Sequence, residues 1–223
     1  KCDFIDEVYL DTESQEIIKL SEATLGHKIL KRDGNLANNS TDGNKLFMNE
    51  VNQVEADIYI QVLCTSPFIE PKTILEMVKK VAKDDKYDSS VLVKTEKLYK
   101  WDNGSPEYPL DDIPNSKDLP DTIVETMGLY VINREAAKQL KRRIGNNPYL
   151  FNAKPLEAID VNTEDEFNLA NLVAAGLREK ENLFYNTVKN YLSSSILSDV
   201  TDEMGLDCFI SGLKLNIVNK KIL

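Results

Sequence analysis

Two hydroxyl side chains directly follow an apolar stretch that is rich in β-branched residues. Residues 57–63 have the pattern of a buried strand in a parallel sheet, and Thr65-Ser66-Pro67 comes immediately after it. Hydroxyl groups can hydrogen-bond a base, a ribose or a sugar. Because open α/β sheets bind ligands at the carboxyl ends of their strands, Thr65 and Ser66 are candidate binding residues. A plain turn ended by proline explains the same residues equally well.

A second candidate is an aspartate that precedes a predicted helix. Asp160 lies near the end of a predicted short strand over residues 158–161, and Thr163 follows as a helix cap. A carboxylate in this position can hold Mg²⁺ while phosphates and water fill the other coordination sites. The alternative is that Thr163 and the acidic residues after it only stabilise the helix start. Taken alone, the pattern favours that alternative.

A third candidate is the polar segment 31–43, which begins with cations and continues as a flexible Asn-rich loop. Such a loop could contact a triphosphate through charged and polar groups. An ordinary solvated loop is the simpler interpretation of this segment. No glycine-rich phosphate-binding loop occurs in the sequence, and His27, the single histidine, has no evident catalytic partner.

The fold that positions these candidate residues can be predicted from the alternation of strand and helix patterns along the chain. This alternation predicts an α/β fold with a doubly wound, mostly parallel sheet. Residues 97–120 interrupt the alternation with Tyr99, Trp101 and Tyr108 among turn-forming residues, which predicts a hairpin or a protruding arm. The predicted strands are 8–10, 29–30, 58–63, 89–93, 124–132 and 158–161, and the predicted helices are 14–25, 45–54, 70–82, 134–143 and 163–177.

Composition narrows the class of protein further. The chain of 223 residues has a formal net charge of −10, which argues against a duplex nucleic-acid binder but leaves a local nucleotide pocket possible. Its three cysteines are scattered without metal or disulfide spacing, so we expect a reducing, cytoplasmic environment. No apolar stretch approaches the roughly 18 residues that cross a bilayer.

Taken in order, five segments between Val8 and about residue 173 resemble the acylneuraminate cytidylyltransferases, the CMP-sialic acid and CMP-sugar synthetases. No segment is decisive alone, but their order is fairly specific to the family. The segments are Asp11-Thr12-Glu13-Ser14-Gln15-Glu16-Ile17, Arg32-Asp33-Gly34-Asn35-Leu36-Ala37 with Ser40-Thr41-Asp42, Thr65-Ser66-Pro67-Phe68-Ile69, Gly128-Leu129-Tyr130, and Asp160-Val161-Asn162-Thr163-Glu164-Asp165-Glu166-Phe167.

The resemblance implies a nucleotidyltransferase that uses CTP and Mg²⁺ to activate an acidic keto-acid sugar, with release of pyrophosphate. It implies a Rossmann-like fold of the nucleotide-diphospho-sugar transferase type and a homodimer joined through an arm over residues 99–109. It also implies roles for particular residues: Asp160 as the catalytic metal ligand, Asn162 at the second metal position, and a substrate pocket lined by Arg32, Ser40, Thr65, Ser66 and Tyr130.

The sequence also departs from the family pattern. The family's phosphate loop, expected before Val8, is absent, and Asn162 stands where the family has a second aspartate. Ile69 replaces an arginine, and Leu63 replaces a glutamine unless Gln61 takes that role. Two alternatives therefore stay open: a non-catalytic binding or scaffold module with this fold, and a nucleotidyltransferase for another sugar or base. Sialic, legionaminic, pseudaminic and deoxyoctulosonic acids are all possible acceptors.

The last part of the chain predicts a different organisation. Residues 1–177 would form the cytidylyltransferase-like domain, lacking its N-terminal loop, and residues 178–190 a charged linker helix. Residues 191–223 resemble the start of an RraA-like domain, with a Ser-rich cap, a short helix and a glycine stop. We therefore expect the parent protein to be a fusion of two domains.

Overall fold

The computed structural model describes residues 2–38 and 40–194, without the side chains of 187–194. The chain divides into a sheet unit, Lys1–Asn162, and a second unit that begins at Thr163. The second unit contains α5 (Glu164–Ser194), one unbroken helix that runs through the predicted linker segment 178–190. Of the segment 191–223 with the RraA-like prediction, residues 191–194 are the end of α5, and 195–223 lie outside the described residues.

The sheet unit follows the predicted order of strands and helices. Its main elements are, in chain order, β1 (Tyr9–Thr12), α1 (Gln15–Ser21), β2 (Lys28–Lys31), α2 (Gly43–Gln53), β3 (Ile58–Val62), α3 (Pro71–Lys83), β4 (Ser89–Lys97), β5 (Trp101–Asp102), β6 (Ser105–Pro106), β7 (Asp121–Asn133), α4 (Arg134–Leu140) and β8 (Pro148–Asn152). Short 3₁₀ turns cover residues 34–36 and 116–118.

The central sheet has four strands in the order β3-β7-β4-β8. Strand β7 is antiparallel to both of its neighbours, whereas β4 and β8 are parallel. Three of the four strands therefore run in one direction, and their carboxyl ends lie at the same edge. Strands β1 and β2 form a separate parallel pair.

Helices cover both faces of the central sheet, and each face has its own apolar core. On one face, α2 and α4 pack Phe47, Val51, Ala136 and Ala137 against Tyr59 and Ile132. On the other face, α3 packs Met77 and Val81 against Leu92, Leu129 and Val131. This double covering explains why the central strands are apolar throughout.

The predicted excursion forms a β-hairpin. Strands β5 and β6 pair through Asn103 and Gly104, which both have positive φ angles, 47° and 80°. This is the Asn-Gly turn that suits the twist of a two-residue hairpin. Tyr108 makes edge-to-face contacts with Tyr99 and Trp101, so the aromatic side chains pack on one another. Trp101 nevertheless stays 60% exposed.

Three local predictions were wrong. Residues 158–161 form a turn and loop, and the strand in this region is β8, which sequence analysis missed because it begins at Pro148. The helix predicted over 134–143 is shorter: α4 ends at Leu140, and the next residue, Lys141, has a left-handed conformation with φ 53°. Cys64, interpreted as a small buried residue, is exposed.

In the part of the chain that the structure describes, no helix is long and apolar enough to span a membrane.

Candidate active site

The predicted Thr65-Ser66-Pro67 segment lies just beyond the carboxyl end of β3. The backbone N–H of Ser66 donates to the carbonyl of Leu63 at 3.0 Å, which closes a tight turn. The Ser66 side chain is buried, and its Oγ has no hydrogen-bond partner among the described residues. A buried hydroxyl without a partner is costly, so this oxygen is a candidate ligand contact.

Gly128 in β7 makes the approach to Ser66 possible. A Cβ atom at this position would lie 2.4 Å from Ser66 Oγ and 2.7 Å from Ser66 Cβ. The strand is also irregular here: Met127 has φ 60°, and the β4–β7 register shifts between Val91 and Val93. Such bulges are common beside active sites, where they re-aim a strand. The glycine of the predicted Gly128-Leu129-Tyr130 segment therefore has a clear steric role.

Tyr130, two residues further along β7, has a buried ring. Its hydroxyl donates to Glu125 Oε2 at 2.9 Å. The guanidinium carbon of Arg143 lies 3.9 Å from the ring centroid, so this cation stacks on the tyrosine. Burial raises the pKa of Tyr130 to about 12, with Glu125 and Asp160 acting in the same direction and Arg143 opposing them. Tyr130 is therefore neutral and keeps its proton across the physiological pH range.

Asp160 lies on the loop that adjoins the Thr65 turn. The backbone N–H of Val161 donates to the Thr65 carbonyl at 2.9 Å, which ties this loop to the end of β3. Asp160 Oδ2 accepts a hydrogen bond from Asn162 Nδ2 at 2.7 Å, whereas Oδ1 is buried and has no donor in the described part of the chain. A carboxylate oxygen that is free of protein donors suits Mg²⁺, which needs only one or two protein carboxylates when phosphates complete its shell. The residues present therefore fit such an ion.

Two predicted pocket residues have other partners. Arg32 pairs with Asp11 Oδ2 at 3.2 Å and with Glu13 Oε2 at 3.4 Å. The Ser40 hydroxyl donates to Asn38 Oδ1 within an exposed loop. The structure thus brings Thr65, Ser66, Tyr130 and Asp160 into one region, and the contacts of Arg32 and Ser40 do not join them to it.

The Arg32 ion pair belongs to a polar cluster that sequence analysis missed. Glu50 of α2 accepts two hydrogen bonds from Gln61 Nε2, at 3.2 and 3.1 Å. Burial raises the pKa of Glu50 to about 7, and Asp11 adds to the rise, while the Gln61 hydrogen bond and Arg32 lower it. Gln61 is directly opposite Tyr130 in the β3–β7 pairing, so both side chains project from the same sheet face. Gln61 therefore hydrogen-bonds Glu50. It does not take the place of Leu63, the position after β3 where the resemblance implies a glutamine.

Comparison with known proteins shows what the first part of the chain and the fold are similar to. Residues 1–101 match a family model described as Cytidylyltransferase. The match covers less than half of the chain, and over those residues it supports the resemblance to cytidylyltransferases seen in the sequence. No curated protein matches the sequence.

Several solved structures share the fold. The structure of CMP:2-keto-3-deoxy-manno-octonic acid synthetase complexed with CTP is 15% identical and gives a TM-score of 0.55, over 79% of this chain and 83% of that one. The 4-diphosphocytidyl-2C-methyl-D-erythritol synthase from Anaerococcus prevotii is 12% identical, with a TM-score of 0.56 over 78% and 81% of the two chains. These similarities confirm the predicted Rossmann-like α/β fold class.

Proposed function

We propose that this chain transfers CMP from CTP to an acidic keto-acid sugar and releases pyrophosphate. The observation that carries the proposal is the convergence of Thr65, Ser66, Tyr130 and Asp160 at the carboxyl edge of the central sheet. Nucleotide ligands bind at that edge in folds of this class. The cytidylyltransferase family match and the order of the five sequence segments support the same reaction.

In this reaction the protein positions the two substrates and does not need to form a covalent intermediate with either. The anomeric hydroxyl oxygen of the sugar attacks the α-phosphorus of CTP, the bond from that phosphorus to the bridging oxygen breaks, and pyrophosphate leaves. The hydroxyl proton passes to a base or to water. Thr65 and the unpartnered Ser66 hydroxyl would hold the nucleoside, and Tyr130 would line the sugar side of the pocket. Holding the two reactants in line supplies much of the rate enhancement.

Asp160 is the proposed catalytic metal ligand, with Asn162 beside it as a neutral second oxygen donor. When bound, Mg²⁺ would neutralise phosphate charge during the transfer. The free Oδ1 atom of Asp160 is the group that offers the ion a coordination position. Arg32 and Ser40 are proposed as triphosphate contacts, and for Arg32 this requires competition with Asp11 and Glu13.

The arm supplies a basis for the proposed homodimer. Trp101, Leu110 and Ile113 are each more than half exposed within residues 98–120, and exposed apolar groups of this kind are typical of contact surfaces.

A cytoplasmic location remains a prediction from the cysteine pattern.

Two alternatives differ in acceptor or in activity. The fold is equally similar to a 4-diphosphocytidyl-2C-methyl-D-erythritol synthase, so a cytidylyltransferase with a different acceptor is the second candidate. The neutral Asn162 favours the third, a non-catalytic module with weak nucleotide affinity.

Pyrophosphate release tests the proposal directly. The chain is incubated with CTP, Mg²⁺ and a panel of eight- and nine-carbon keto-acid sugars, and in parallel with methylerythritol phosphate. Release with one keto-acid sugar supports the proposal, and release only with methylerythritol phosphate supports the second candidate. Substitution of CTP by the other three nucleoside triphosphates tests the base.

A matched pair of variants links turnover to the site. Thr65→Val should abolish most of the release, whereas Thr95→Val, at an exposed position of β4, should not change it. Absence of release with every acceptor, together with CTP binding, would reject the proposal in favour of the non-catalytic module.

A further inference from the structure

We propose that Arg143, stacked on Tyr130, binds an oxyanion of the substrates, which is either the carboxylate of the sugar or a phosphate of the nucleotide. This inference rests on the proposed function, because it names the group that recognises negative charge at the same site. The residue lies in the loop after α4, and neither its sequence context nor the five family-like segments indicated it.

Among the described residues of the sheet unit, Arg143 differs from the other arginines because its guanidinium lacks a hydrogen-bonding or ion-pairing partner. Arg32 and Arg134 form ion pairs with carboxylates, and the Arg142 guanidinium donates to the Gly145 carbonyl. Within the described residues, the Arg143 guanidinium takes part in no hydrogen bond or ion pair, although the residue is half-buried. A half-buried cation that has lost hydration and gained only an aromatic ring still lacks a hydrogen-bond acceptor or a counter-charge, so an incoming anion would compensate it.

The surroundings hold this guanidinium in a defined place. The Tyr130 ring covers one face of the group, and the Arg143 backbone N–H donates to Asn44 Oδ1 at 3.2 Å, at the start of α2. Gly43 makes room for the head group, because a Cβ there would lie 2.8 Å from Nη1 and 3.0 Å from the guanidinium carbon. Tyr130 and Gly43 thus form a cradle that a larger residue at position 43 would fill.

The chemistry of the group fits carboxylate or phosphate. A guanidinium carries its donors on its edge, so stacking on an aromatic ring leaves them available for a two-point contact. Arg143 also acts electrostatically on the Tyr130 hydroxyl, together with Asp160. Its guanidinium therefore lies beside Tyr130, the residue that the proposed function places on the sugar side of the pocket.

Chemical protection tests whether the guanidinium meets an anion. Phenylglyoxal modifies accessible arginines, and residue-resolved mass spectrometry gives the modification rate at Arg143 in the intact chain. The probes are inorganic pyrophosphate, CTP with Mg²⁺, and N-acetylneuraminate or another keto-acid sugar. We expect at least one probe to slow modification at Arg143 and to leave Arg142 unaffected. Protection by pyrophosphate and CTP identifies a phosphate, and protection by the sugar alone identifies its carboxylate.

Two variants separate geometry from charge. Arg143→Lys keeps the charge and removes the planar fork, and should weaken binding of the protecting probe by about 10-fold or more. Gly43→Ala keeps the arginine but displaces its head group, and should weaken the same binding without lowering Tm, since Ala is favoured over Gly within a helix. Arg142→Lys is the matched control and should leave binding unchanged.

The outcomes distinguish this inference from the proposed function. Turnover by the native chain with no protection at Arg143 would overturn the inference and leave the function standing. Protection at Arg143 without turnover would support anion binding and count against the reaction. An Arg143 that phenylglyoxal does not reach, or variants that bind every probe as the native chain does, would also overturn it.

Discussion

Gly128 of β7 and Ser66, in the turn after β3, lie so close together that a side chain at position 128 would clash with Ser66. A Cβ atom there would lie 2.4 Å from Ser66 Oγ and 3.1 Å from Ile69 Cδ1. Ser66 cannot easily move away from β7, because its backbone N–H donates a hydrogen bond to the Leu63 carbonyl. The glycine therefore sets how closely β7 approaches the hydroxyl-bearing turn.

Gly128→Ala should destabilise the protein and displace the Ser66 turn. Overpacking of this kind costs about 1–3 kcal/mol, which thermal unfolding would detect as a lower Tm. Gly34→Ala is the control, since a Cβ at Gly34 meets no atom within 4 Å. Equal Tm values for the two variants would show that the contact does not constrain the fold.

Asp160→Asn should weaken Mg²⁺-dependent binding of CTP by about 10-fold or more, because it replaces the charged oxygen donor with a neutral one. Calorimetric titration with and without Mg²⁺ measures this loss, and Asp165→Asn, at an exposed position in the first turn of α5, serves as the control. Asn162→Asp should have the opposite effect, since it restores a second carboxylate. An unchanged Mg²⁺ requirement in Asp160→Asn would refute the metal assignment.

Glu50 should make stability fall as pH rises from about 4.5 to about 7. Its pKa is about 7 in the folded chain against the usual 4.5, so the folded state binds the proton more tightly than the unfolded state does. Between pH 4.5 and 7, the free energy of unfolding should therefore decrease by up to about 3 kcal/mol from this group. Denaturant unfolding across that range measures the decrease.

Glu50→Gln should flatten this pH dependence, because glutamine does not titrate. Glu55→Gln provides a comparison, since Lys138 lowers the pKa of the exposed Glu55 and its removal should leave the decrease in place. A native-like slope in Glu50→Gln would mean that another group is responsible.

Glu157 is a buried carboxylate whose loss should be costly. Its two oxygens accept from the backbone N–H groups of Glu70 and Lys154, each at 3.1 Å. Glu157→Ala should lower the free energy of unfolding by about 2–4 kcal/mol, because two donors lose their acceptor. Glu157→Gln keeps one acceptor oxygen and should fall between alanine and the native chain. Glu107→Ala, at an exposed position in the arm, should change stability little, and a similar loss there would contradict the assignment.

The sequence was sufficient to predict the α/β class, the order of most elements and the position of the Thr65-Ser66 turn. These follow from local signals, such as a strand-length apolar run and a proline at the start of a helix. Strand β8 was missed because Pro148 and its short length resemble a turn. The antiparallel direction of β7 has no local signature, since it depends on which strands become neighbours.

The residues that the sequence did not reveal are those defined by tertiary contacts. Arg143 follows two other basic residues, and nothing in that run distinguishes the one that stacks on Tyr130. Glu50 occupies an ordinary helix position, and its elevated pKa arises only where β1, α2 and β3 meet. Such roles depend on side-chain burial and on charged residues that are distant in the sequence. The spacing of residues along the chain predicts neither.

The order of strands in the central sheet also has a kinetic consequence. Strand β3 pairs only with β7 within the described sheet, so its partner is synthesised long after it, and Thr65 meets Val161 later still. Pairings between distant segments must close long loops, which slows folding. The pocket should therefore be among the last regions to become ordered, after β4 and β7 have formed the centre of the sheet.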